Sequence, residues 1–71
     1  MEKDFLGFVA SIMGVDSAEI SLQTSYKDFD PWDSLMMLTL TMELEEKYGV
    51  SIPIEKIESV QTLGDLYEFV C

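Results

Sequence analysis

The sequence "DSLMMLTLTMELEEKYG", residues 33–49, contains the start, the body and the end of one long helix. Asp33 suits the N-cap position, because its carboxylate can accept hydrogen bonds from the first backbone amides of a helix. Gly49 suits the position after the last turn, where a left-handed backbone commonly ends a helix. The pattern therefore predicts a helix from about Asp33 to Tyr48.

This predicted helix is apolar on two sides, at about 100° per residue. The core face is predicted from the spacing i, i+3, i+7, i+11 and comprises Met37, Leu40, Leu44 and Tyr48, with Thr41 at its edge. The second face comprises Leu35, Leu38 and Met42, flanked by Glu45 and Glu46, with Ser34 at its N-terminal end. A small domain has one core, so the second face is either covered by the preceding loop or left open as a partner site. Met36, which we expect to point at solvent, favours the partner site.

The rest of the chain predicts further helices. Glu2 to Met13 has apolar residues at helical spacing and Gly14 as its stop. Residues 14–32 form a long connection, which we expect to be packed by its own apolar side chains. These anchors are Val15, Ile20, Leu22, Tyr26 and Phe29.

Two helices are predicted after Gly49. Pro53 suits the first turn of a short helix that carries Ile54 and Ile57. Thr62 and Asp65 have the spacing of a capping box at the start of the last helix. The chain is thus predicted to be one all-α domain over residues 1–71, a small bundle of three main helices and one short helix.

The composition limits the function classes. Fourteen acids against four lysines give a net charge of −10, which repels nucleic acid and anionic membranes and attracts basic protein surfaces. Hydrophobic residues make up 48% of the chain, too many for a disordered acidic tail. No stretch is long enough to span a membrane, and the N-terminus lacks the order of a signal peptide. Cys71, the single cysteine, is interpreted as an incidental thiol, and we expect a cytoplasmic monomer.

Ser34 is the candidate functional residue. The chain has no histidine to act as a base for it, so a nucleophilic catalytic role is not expected. Serine at this position is usually an N-cap, but Asp33 can already serve as one. A phosphodiester on Ser34 would instead face the positive end of the helix dipole. A calcium loop starting at Asp28 is rejected, because its sixth and twelfth positions lack the required Gly and Glu, and no metal site is predicted.

Three segments together resemble the acyl carrier protein family. "DSL" at residues 33–35 is similar to its phosphopantetheine-attachment motif, "ELEEKYGVSIP" at 43–53 to the end of its second helix, and "VQTLGDLYEFV" at 60–70 to its last helix. The segments are in register without gaps, so the resemblance covers essentially the whole chain. It implies an acyl-carrier-like four-helix bundle that is not an enzyme.

The resemblance also implies roles for individual residues. Ser34 would carry 4′-phosphopantetheine, transferred from coenzyme A by a magnesium-dependent holo-synthase (a phosphopantetheinyl transferase). Asp33 would help present the serine and contact that synthase and its metal. The docking surface for loading and acyl-transfer enzymes would be Leu35, Leu38, Met42, Glu45 and Glu46. Residues lining a space for the acyl chain would be Leu40, Leu44, Ile52, Ile57, Val60 and Leu66. The alternative for each of them is ordinary core packing, which we expect to account for most of their role.

Some positions depart from the fatty-acid type of carrier. Met36 and Thr39 are uncharged where many such carriers have acids, and Trp32 replaces a small residue. These departures favour a discrete carrier of a specialised pathway, for example for polyketides, peptides or modified surface sugars. One alternative is a peptidyl or aminoacyl carrier loaded by an adenylating enzyme. Another is a carrier-like helical interaction module without a prosthetic group.

Overall fold

The structure is a computed structural model that describes residues 2–70. It has four α-helices: α1 Glu2–Met13, α2 Ser34–Tyr48, α3 Ile54–Ile57 and α4 Leu63–Val70. A short 3₁₀ helix, Ser17–Glu19, interrupts the long connection between α1 and α2. The described residues contain no β-strand, so the predicted all-α bundle of three main helices and one short helix is confirmed. Cys71, which was interpreted as an incidental thiol, lies outside the described residues.

The predicted helix ends are confirmed by their hydrogen bonds. The Asp33 carboxylate accepts a bond from the backbone amide of Met36 at 2.8 Å. Gly49 ends α2 with a φ of 66°, a left-handed conformation that glycine adopts without steric cost. At the start of α4, Thr62 and Asp65 form the reciprocal capping box, with both bonds 3.2 Å long.

The core lies where α1, α2 and α4 meet. From α2 it receives Met37, Leu40, Thr41 and Leu44, as predicted, whereas Tyr48 is only half-buried. The other buried apolar residues are Phe5, Val9, Ala10, Met13, Ile20, Trp32, Ile52, Val60, Leu63, Leu66 and Val70. Most of these residues come from helical faces with the periodicity that the sequence shows.

Two side chains of the motif region differ from expectation. Trp32 was interpreted only as a departure from the fatty-acid type, but it is among the largest fully buried side chains. It therefore anchors the end of the long connection immediately before Asp33. Met36 was expected to face solvent, and that expectation is wrong, because Met36 is half-buried and packs against the core.

The long connection is attached to the start of α4. The Tyr26 amide donates to the Gln61 carbonyl at 2.7 Å, and the Gly64 amide donates to the Leu22 carbonyl at 2.8 Å. A Cβ atom on Gly64 would lie 3.0 Å from that same Leu22 oxygen, so the close approach depends on glycine. The connection is thus held against α4 and does not cover the second apolar face of α2.

Candidate functional site

Ser34 is exposed and occupies the first position of α2. Its Oγ lies 2.9 Å from the phenolic oxygen of Tyr26. The helix is capped by Asp33, whose carboxylate accepts the Met36 amide. The Ser34 hydroxyl is therefore not required as a cap, and it lies at the positive end of the helix dipole.

Tyr26 is held in place from two directions. Its backbone amide donates to the Gln61 carbonyl at 2.7 Å. Its ring meets the ring of Trp32 edge-on, with centroids 5.5 Å apart and an interplanar angle of 68°. Because Trp32 is buried, this aromatic pair fixes the Tyr26 hydroxyl beside Ser34. The sequence predicts Tyr26 only as an apolar anchor of the long connection, and no pattern in it indicates the contact with Ser34.

An open cavity of about 600 Å³ begins at Ser34. Its apolar walls include Met37, Leu38, Ile57 and Val60, and its polar lining includes Tyr26, Lys27, Glu58 and Gln61. A group attached to the exposed Ser34 hydroxyl would lie beside these apolar and polar walls.

Of the six residues expected to line a space for an acyl chain, two line the cavity and four lie in the core. Ile57 and Val60 line the cavity beside Ser34. The other four, which are Leu40, Leu44, Ile52 and Leu66, are buried members of the core and do not line this cavity.

The second apolar face of α2 is exposed. Leu35 is 74% exposed, Leu38 52% and Met42 68%. Ile54, the first residue of α3, is 73% exposed and was not among the predicted docking residues. Because α3 has only four residues, helical periodicity could not predict which side of it Ile54 occupies. The interpretation that the preceding loop covers this face is wrong.

The two glutamates expected beside this face differ in their surroundings. Glu46 is exposed. Glu45 is half-buried, and its Oε2 accepts the backbone amide of Ile52 at 2.7 Å. The Glu45 carboxylate thus stabilises the turn between α2 and α3, a role that the sequence analysis did not identify.

Residues 2–70 contain no candidate metal-binding cluster and no candidate membrane-spanning helix. This part of the chain has no group of three or more His, Cys, Asp or Glu side chains placed to hold a metal ion. None of its helices has the length and hydropathy needed to cross a membrane.

Comparisons with known proteins agree with one another. A sequence profile of the family described as "Phosphopantetheine attachment site" matches residues 3–70. The acyl carrier proteins of Tropheryma whipplei strains Twist and TW08/27 are each 35% identical over 57 residues, covering 80% of this chain and 70% of theirs. The solution structure of a holo acyl carrier protein from Geobacter metallireducens aligns with a TM-score of 0.80 at 28% identity, covering 97% of this chain and 80% of that one.

Proposed function

Because the chain belongs to the acyl carrier protein family, whose members carry covalent 4′-phosphopantetheine and are not enzymes, we propose that Ser34 is the attachment residue. The observation that carries this proposal is the exposed Ser34 hydroxyl at the start of α2 and at the edge of the cavity. Asp33 supports it, because this carboxylate caps the helix and leaves the serine hydroxyl available.

The residues of the chain present the attachment point and undergo no chemistry themselves apart from the new ester at Ser34. The Ser34 oxygen loses its proton and forms the bond to phosphorus, the pyrophosphate bond of coenzyme A breaks, and adenosine 3′,5′-bisphosphate leaves. When bound, the group supplies a terminal thiol that holds an acyl cargo as a thioester. Tethering raises the effective concentration of that cargo at each partner enzyme. Asp33, exposed beside Ser34, is proposed to contact the transferase and its magnesium ion.

Acyl carrier proteins act with phosphopantetheinyl transferases and with acyl-handling enzymes. For this chain the proposed docking surface consists of Leu35, Leu38, Met42, Glu45 and Glu46. The exposure of its three apolar members supports it, and the exposed Ile54 extends it onto α3. The net charge of −10 favours partners with a basic rim around an apolar centre.

The proposed role lies in a specialised biosynthetic pathway. Support comes from the uncharged residues of α2, since Met36 packs against the core and the Thr39 hydroxyl donates to the Leu35 carbonyl at 3.1 Å. Neither side chain adds charge to the exposed face.

A peptidyl or aminoacyl carrier would use the same Ser34 and differ only in its loading enzyme. We further propose that the protein is a cytoplasmic monomer and that residues 1–71 form a single domain.

Loading with a fluorescent coenzyme A derivative, magnesium and a broad-specificity phosphopantetheinyl transferase tests the proposal. We expect the wild-type chain to become fluorescent and Ser34→Ala to stay dark. Ser25→Ala is the matched control, because Ser25 lines the same cavity, and it should load like wild type. Labelling of Ser34→Ala would exclude Ser34 as the attachment residue. A folded wild-type chain that stays unlabelled would favour the interaction-module alternative.

A further inference from the structure

We propose that Tyr26 and Lys27 bind the phosphodiester that loading places on Ser34, so that the first bonds of the arm are held against the protein. The proposal rests on Ser34 being the attachment residue. Tyr26 is then a positioning residue, which acts on the attached group and takes no part in forming the ester.

Tyr26 and Ser34 are already joined by a hydrogen bond before loading. The two oxygens are 2.9 Å apart, and before loading either hydroxyl can be the donor. Esterification removes the proton of Ser34, so from then on only Tyr26 can donate. The best acceptors that esterification brings to this position are the charged phosphate oxygens, and a hydrogen bond to a charged acceptor is stronger than one between two hydroxyls. After loading, the Tyr26 hydroxyl is therefore placed to donate a hydrogen bond to a phosphodiester oxygen.

The Tyr26 hydroxyl is already held where this bond requires it. Its ring packs edge-on against the buried Trp32, and its backbone amide is bonded to the Gln61 carbonyl. Little side-chain freedom remains to be lost when the hydroxyl binds the phosphodiester, so the interaction retains most of its free energy.

Lys27 supplies the matching charge. It lines the same cavity as Ser34 and Tyr26, and it is exposed. The whole chain has fourteen acids and only four lysines, and the phosphodiester adds one more negative charge. Asp33 lies next to Ser34 and Glu58 also lines the cavity, so Lys27 offsets local repulsion. A lysine binds phosphate as a flexible point charge and needs no fixed geometry.

Phosphorus NMR of the loaded protein tests the proposal directly. The holo forms of wild type, Tyr26→Phe and Lys27→Gln are compared, each with its loading confirmed by mass. Tyr48→Phe and Lys56→Gln are the matched controls. They remove the same groups from positions that do not line the cavity beside Ser34. Circular dichroism of each variant checks that it is folded.

We expect the phosphorus signal of Tyr26→Phe to shift from its wild-type position and to narrow as the phosphodiester becomes more mobile. Lys27→Gln should shift the signal in low salt and lose that difference in high salt. The two control variants should match wild type. A wild-type signal in both loaded Tyr26→Phe and loaded Lys27→Gln would overturn the proposal and leave the attachment at Ser34 intact. Failure of the wild-type chain to load would overturn the attachment itself.

Discussion

At the start of α2, capping the helix and presenting a hydroxyl group are carried out by two neighbouring residues, Asp33 and Ser34. The Asp33 carboxylate accepts the Met36 amide, whereas the Ser34 hydroxyl contacts Tyr26. The sequence could predict this division, because two good capping residues stand side by side. It could not predict the contact with Tyr26, because that contact joins residues eight positions apart across an irregular loop.

This division predicts unequal stability losses. Asp33→Ala should lower the free energy of unfolding by about 1 kcal/mol, the usual cost of losing an N-cap. Ser34→Ala should cost clearly less, since its exposed hydroxyl makes no cap. Urea unfolding followed by circular dichroism measures both variants. A larger loss for Ser34→Ala than for Asp33→Ala would show that the serine is the structural cap.

Tyr48 carries a buried hydroxyl with no hydrogen-bond partner among the described residues. Burial raises the pKa of this phenol above its ordinary value of 10.0, and the charge of Asp4 and the neighbouring Tyr67 raise it further. The folded state therefore holds the proton more tightly than the unfolded chain does. The stability that depends on this difference is constant below pH 10.0 and is lost as the pH rises through the raised pKa.

We predict that Tyr48→Phe is neutral or stabilising at pH 7, by up to about 1 kcal/mol, because it removes an unsatisfied buried hydroxyl. It should also reduce the loss of stability above pH 10.0. Thermal unfolding of both proteins at pH 7 and at pH 10.5 to 11 measures the difference. A loss of more than about 1 kcal/mol at pH 7 would mean that the hydroxyl has a partner and contributes to stability.

Helix α2 has two apolar surfaces in different surroundings. One side packs into the core through Leu40 and Leu44, and the other exposes Leu35, Leu38 and Met42. Helical periodicity predicted this arrangement well, because both faces repeat with the helical period. Periodicity could not place Trp32 or Ile54, which lie in a loop and in a single helical turn. The burial of such residues is decided by tertiary contacts that no short pattern encodes.

Two leucines of α2 give a matched test of its two faces. Leu38→Glu should change stability by less than about 1 kcal/mol, because Leu38 is half-exposed, but it should weaken acyl transfer by partner enzymes. Leu40→Ala should cost about 2–5 kcal/mol, the usual loss for a fully buried leucine. Chemical denaturation measures stability, and a transfer assay with the loaded protein measures docking. Unfolding of Leu38→Glu would refute the assignment of the two faces.

The net negative charge of the whole molecule destabilises its compact folded state. The chain has a net charge of −10 over 71 residues. Its acidic side chains therefore repel one another more strongly in the folded state than in the expanded chain. Salt at about 0.15 M shortens the range of this repulsion to about 8 Å. The same charge would attract a partner with a basic surface. Stability and association with such a partner should therefore respond to salt in opposite directions.

We therefore predict that raising the salt concentration from about 0.02 M to about 0.2 M raises the melting temperature and slows association with a basic partner enzyme. Scanning calorimetry measures the first effect, and stopped-flow binding measures the second. A melting temperature that falls with salt would mean that attractive charge pairs outweigh the net repulsion. Association that is insensitive to salt would mean that docking is governed by the apolar face alone.

The central claim is that Ser34 carries the phosphopantetheine arm of an acyl carrier protein. Intact-mass spectrometry of the wild-type chain, before and after treatment with a transferase, coenzyme A and magnesium, followed by peptide mapping, tests it most directly. The predicted result is the addition of one phosphopantetheine, located on the peptide that contains Ser34. No addition to the folded chain, or an addition on any other residue, would contradict the account.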